Sequence, residues 1–181
     1  MPTHAAFLRA INVGGRRITN DALREACAAS GLEEAATFRA SGNVVFTAAR
    51  RVGEGTLARR IEEGLERELG FAVPAYVRSA AQLRAIAAHV PLDPKLVDGS
   101  EGKLQVVFLT GKPSPASRRE ALGLAGDRDL LALRSRELYW LPSGGLMESE
   151  LDRKALDRLL GPSTVRTKGT VDLLAEKFFA R

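Results

Sequence analysis

The chain has little with which to do metal, redox or disulfide chemistry. Of its 181 residues one is cysteine, Cys27, and two are histidine, His4 and His89. A single thiol cannot close an internal disulfide, and one Cys with two His falls short of the four-ligand set of a structural zinc. No metal site and no cofactor is therefore expected. No apolar run approaches the roughly 20 residues that cross a bilayer, and Met1-Pro2-Thr3-His4 lacks the basic start and apolar core of a leader. The expectation is a cytoplasmic protein with no membrane partner. The 45% hydrophobic content excludes disorder as the default.

A block of charge of one sign is also missing. The net charge is +5, yet residues 1–90 hold 12 basic against 9 acidic side chains and residues 91–181 hold 15 against 13. Clustered Lys and Arg would mark a phosphate-binding surface by counterion release, and here the excess is spread thinly. Arginine outnumbers lysine 21 to 6, a bias that a GC-rich genome produces without functional demand.

What is present is a strand that runs into glycines. Residues 5–12 read as a buried strand with Ala6, Leu8 and Ala10 on one face and Phe7, Arg9 and Ile11 on the other. Gly14-Gly15 ends it. Thr19 or Asn20 caps a helix whose Leu23, Ala26, Cys27 and Ser30 share one stripe and which stops at Gly31. Cys27 on that stripe reads as an inert core thiol. Residues 37–41 and 43–47 read as a hairpin about Gly42. Residues 54–69 form an amphipathic helix with Leu57, Ile61, Leu65 and Leu69 inward, its outward charges alternating in sign. Gly70 ends it, residues 72–78 make a fourth strand, and residues 79–89 another helix.

Residues 91–103, rich in Pro, Gly, Ser and Asp, read as a linker. The same order then returns: a strand over 104–110, a helix over 115–124, strands over 130–133 and 138–141, a helix over 149–160, a short strand at 164–167 and a helix over 171–179. The expected fold is α+β: two tandem ferredoxin-like (βαββαβ) units with antiparallel sheets and extra helices, one over 1–90 and one over 104–181.

In such a sheet the first and third strands are central, adjacent and antiparallel. The end of the first therefore meets the start of the third, bringing Asn12, Gly14 and Gly15 beside Ser41, Gly42 and Asn43. The first helix begins at this edge with Arg16 and Arg17 close by, and Arg9 stands on the helix-free face. Backbone N–H groups, Asn amides, the Ser41 hydroxyl and arginines would suit a small anionic ligand. A structural account uses the same residues: Gly14-Gly15 turning the chain, Ser41-Gly42-Asn43 closing a hairpin, Asn12 locking the two. No general base is expected at this edge, so a Ser41 nucleophile has no activator.

Other signals are weaker. Gly144-Gly145 lacks the strand-to-helix context of a phosphate loop. The stretch 110–114 occupies the second unit's equivalent edge and offers Lys112. Tyr139 and Trp140 on a strand read as packing, with base stacking the lesser reading.

At these residues the chain resembles a known family. FLRAINVGGRRIT followed by TFRASGNVVFTA is similar to the paired signature of the bacterial proteins grouped as domain of unknown function 1697, close to L-R-G-I-N-V-G-G and then T-Y-I-x-S-G-N-V-V-F. The resemblance implies a compact α+β protein of two ferredoxin-like units and places the signature on Arg9, Asn12, Gly14, Gly15, Ser41, Gly42 and Asn43. It implies no activity. Ala10 stands where the family usually has Gly. Near the C-terminus the family's T-x-R-N-W-x-T-V becomes Thr164-Val165-Arg166-Thr167-Lys168-Gly169-Thr170-Val171, keeping Arg166 as a partner for an anion and losing the Asn-Trp pair. Anion binding leads, a nucleic-acid binder using an open sheet face is the first alternative, and an enzyme of unknown reaction the second.

Overall fold

A computed structural model describes residues 1–15, 17–39, 42–49, 52–126 and 129–180. The chain order is β1 (His4–Leu8), α1 (Asn20–Ala29), β2 (Glu33–Thr37), β3 (Asn43–Thr47), α2 (Glu54–Leu69), β4 (Ala75–Ser79), α3 (Ala80–Ala87) and α4 (Pro94–Asp98). It continues with β5 (Gln105–Leu109), α5 (Pro115–Leu122), β6 (Leu130–Arg134), β7 (Glu137–Leu141), α6 (Arg153–Leu160), β8 (Ser163–Thr167) and α7 (Lys168–Phe179). The strands make two four-stranded antiparallel sheets, ordered β2-β3-β1-β4 and β6-β7-β5-β8. Among the described residues no helix is long and apolar enough to cross a membrane.

The chain divides into two compact units, Met1–Ile86 with Leu174–Arg181, and Ala87–Leu173. This differs from the expected partition at two places. The second half of α7 goes with the first unit, where Phe178 meets Phe38 edge-on at 5.9 Å and Arg84 Nη1 donates to the Phe179 carbonyl at 3.3 Å. The expected linker 91–103 is part of the second unit. Asp93 caps α4 through the Lys95 N–H at 2.9 Å, and Gly102 lies so close to the Pro142 and Gly144 carbonyls that no side chain fits there.

The first core follows from helical spacing. Leu23, Ala26 and Cys27 on α1 and Leu57, Ile61 and Leu65 on α2 pack against Ala6, Leu8, Val44, Phe46, Ala75 and Val77 of the sheet. Thr19 caps α1 through the Ala22 N–H, and Gly70, at φ 77°, closes α2. The second core gathers Val107, Leu109, Leu133, Leu138 and Trp140 with Ala121 and Leu156 from the helices. Trp140 is 1% exposed and its indole donates to the buried Asp129 at 3.1 Å, so it is core and offers no face for stacking a base.

Two strands sit elsewhere than expected. β1 stops at Leu8 rather than reaching residue 12, because Ala10 takes a left-handed φ of 58°. β2 runs from Glu33 to Thr37, four residues before the expected 37–41. Its sequence, EEAAT, has little strand propensity; its pairing with β3 and its place at the sheet edge define it, with a register shift between Glu33 and Ala36.

Candidate functional site

Leaving β1, the chain makes one anchored loop. The Arg9 N–H donates to the Pro74 carbonyl at 2.9 Å, Ala10 turns the backbone, and Ile11 folds back into the core at 4% exposure. Asn12 then accepts the Ile18 N–H on its Oδ1 at 2.7 Å, closing a polar turn on itself. Gly14 and Gly15, at φ 62° and 80°, form the tip, and the positions where their side chains would stand are empty.

The hairpin lies across β1 as the antiparallel register requires, with Phe7 opposite Asn43 and the Leu8 N–H donating to the Gly42 carbonyl at 2.8 Å. Gly42 has φ 70°, and a Cβ there would come within 3.0 Å of Ile11 Cγ2 and 3.2 Å of Leu8 Cβ. Asn43 is fully buried, its Nδ2 donating to the Phe38 carbonyl at 3.0 Å while the Phe38 N–H donates to the Asn43 carbonyl at 2.9 Å. Asn43 and Gly42 thus build the hairpin. Arg16 and Ser41 lie outside the described residues.

The two converging stretches, 9–20 and 37–47, contain Arg9, Arg16, Arg17 and Arg39 and no acid. The first acid after the loop, Asp21, is engaged by Arg24 at 3.0 Å. Arg9 is half-buried, and among the described residues its guanidinium makes no hydrogen bond or ion pair. Arg17 is exposed. Arg39, at φ 58°, lies over the Phe38 ring at 5.6 Å, and Lys177 stands 5.8 Å from Phe38 and 5.3 Å from Phe178. The edge is electropositive, with an aromatic pair at its flank.

Arg166 stands on β8 of the second unit. Its Nη1 donates to the Val165 carbonyl at 2.7 Å and to Thr164 Oγ1 at 2.9 Å, and burial lowers its pKa to about 10, which leaves it charged at neutral pH. A residue in the same register was missed: Arg78 lies opposite Ala5 on β4 as Arg166 lies opposite Val106, is 1% exposed, and donates to the Val77 carbonyl at 2.9 Å. The echo of Val77-Arg78-Ser79 in Val165-Arg166-Thr167 was the signal available in the sequence.

Neither histidine belongs to this edge. His4 starts β1 at the far end, stacked on Phe46 at 5.8 Å, and burial lowers its pKa against the opposing pull of Glu54. His89, edge-on to Tyr139 at 5.1 Å, is lowered by burial and by Arg134 and Lys168. Cys27 is fully buried and its thiol is pushed up to about 12 by burial, as expected of an inert core thiol.

No curated protein matches the sequence. Among solved structures, the conserved bacterial protein SP0830 from Streptococcus pneumoniae superposes with a TM-score of 0.69 over 98% of both chains at 17% sequence identity, a likeness of fold. The loop and hairpin just described fall within residues 1–139, which match the family model of a protein of unknown function, DUF1697; the chain belongs to that family.

Proposed function

We propose that the protein binds a small anionic ligand at the edge of the first unit, where the β1–α1 loop meets the β2–β3 hairpin. The observation that carries this reading is Arg9: a half-buried guanidinium, without hydrogen bond or ion pair among the described residues, in a setting whose two chain segments hold four arginines and no acid. A cation removed partly from water without a partner is costly, and a bound anion supplies the partner. Roles then divide. Asn12, Gly42 and Asn43 shape the loop and hairpin, whereas Arg9 and the open backbone at Gly14 and Gly15 face the ligand. Arg16 and Ser41 remain assigned to it on sequence grounds, and Arg166 is left to its own strand. We also read the two β-α-β-β-α-β series as tandem ferredoxin-like units, supported by their matching strand orders. Calorimetric titration with phosphate, sulfate and a dicarboxylate at constant ionic strength tests the site: saturable heat in the native protein, lost in Arg9→Ala, supports it, and no saturable heat with any of the three removes it.

One observation favours a second reading, single-stranded nucleic acid. The half-buried Phe38 and Phe178 with Arg39 and Lys177 combine aromatic faces with cations beside a basic edge. Binding of random oligonucleotides that falls steeply with salt and is lost in Phe38→Ala would favour it over the small anion.

A further inference from the structure

The chain leaving the first sheet turns Ile11 into the core, whereas its counterpart leaving the second sheet, Lys112, stays exposed. The two sheets share one register here: Leu8 donates to the Gly42 carbonyl and Leu109 to the Arg136 carbonyl at 2.9 Å, and Phe7 faces Asn43 as Phe108 faces Glu137. After Leu8 come Arg9, Ala10 and Ile11; after Leu109 come Thr110, Gly111 and Lys112. Ile11 turns inward, whereas Lys112 is exposed, and the connection to α5 takes only residues 110–114 where the first unit uses 9–19. Beside this short connection lies a recess of about 480 Å³, lined by Lys112, Pro113, Pro115, Arg118, Leu133 and Ser135.

That lining has two cations, one hydroxyl, three apolar side chains and no acid. Among the described residues neither Lys112 nor Arg118 makes a hydrogen bond or ion pair. Glu137 starts β7 opposite Phe108, and strand alternation puts it on the face away from Leu109 and Leu138, which pack in the helix-covered core. Ser135, at φ 55°, sits at the tip of the β6–β7 turn. The volume lies in the range of small-molecule sites.

We propose that this recess binds a small phosphomonoester carrying an apolar substituent. Lys112 and Arg118 neutralise the phosphate, the guanidinium of Arg118 presenting paired donors to two of its oxygens. Ser135 donates a third hydrogen bond. Pro113, Pro115 and Leu133 receive the apolar part. The site is independent of the first unit's edge, using other residues and another loop.

Amide ¹H–¹⁵N spectra of the full chain, titrated with phenyl phosphate while chloride holds ionic strength constant, test it. Saturable shifts are expected at Gly111, Lys112, Arg118 and Ser135, with Kd raised about tenfold or more in Lys112→Ala and in Arg118→Ala. The charge-matched control Arg59→Ala, on the exposed face of α2, keeps the native Kd. All three side chains are exposed, so the variants fold, which the same spectra report. Shifts that do not saturate, or a Kd unchanged in both variants, overturn the proposal. Amides of residues 9–15 in the same spectra report the first unit's edge separately.

Discussion

Gly42 and Leu8 are bound twice over: the Gly42 carbonyl accepts the Leu8 N–H at 2.8 Å, and the Gly42 α-carbon is so close that an added Cβ would stand 3.2 Å from Leu8 Cβ. This contact fixes the hairpin against the end of β1, and with it the loop that carries Arg9.

Gly42→Ala therefore suffers both a left-handed backbone and a steric clash, and should cost about 2–4 kcal/mol. Gly14→Ala has the same backbone problem at φ 62° with nothing nearby, and should cost about 1 kcal/mol. Urea denaturation of the two variants checks the ordering; equal costs would mean that the Leu8 and Ile11 contacts do not matter.

Ala10 holds a φ of 58° at the position where the family signature usually has Gly. Relieving a left-handed alanine gains about 1–2 kcal/mol, and the extra unfolded-state freedom of glycine takes back about 0.5–1. Ala10→Gly should thus stabilise the protein by about 0.5–1 kcal/mol, read as a raised urea midpoint at unchanged m-value.

The histidines set a pH dependence of stability. His4 and His89 both have folded pKa values below the ordinary 6.5, so below that pH the unfolded chain binds more protons. Their contribution is full above about 6.5 and is lost as pH falls. The urea midpoint should drop between pH 7 and 5, and less so in a His4→Gln, His89→Gln double variant. Glu34, held low by its bond from Thr47 at 2.6 Å and by the N-terminus, acts in the more acid range below the ordinary 4.5 and does not enter that window.

Cys27, with its thiol pushed up to about 12 and no exposed surface, should not react with an aromatic disulfide reagent in the native protein at pH 8 and should react fully in denaturant. Stoichiometric native-state reaction faster than global unfolding would place it outside the core.

The periodic elements were legible in the sequence. Leu57, Ile61 and Leu65 at helical spacing give α2 its span, and the strand order brings Phe7 beside Asn43. What escaped has no local pattern. β2 is an edge strand of two glutamates, two alanines and a threonine, defined by its neighbour. Ile11, read as the tail of a strand, becomes a core plug because Ala10 reverses the backbone. At the candidate site the sequence places the residues side by side, and only geometry shows Asn43 buried and bonded to the Phe38 carbonyl and Asn12 accepting the Ile18 N–H.

On the proposed function, Arg9 is the partner of a bound anion. Thermal unfolding of the native protein and of Arg9→Ala, each with increasing phosphate at constant ionic strength, puts this to the test. A bound anion stabilises by RT ln(1 + [L]/Kd), about 2.7 kcal/mol at a hundredfold excess over Kd, and each kcal/mol is worth about 2–4 °C in a chain of this size. Phosphate should raise the Tm of the native protein, and Arg9→Ala should abolish that rise while its anion-free Tm stays within about 2 °C. An equal rise in both proteins, or none in either, would contradict it.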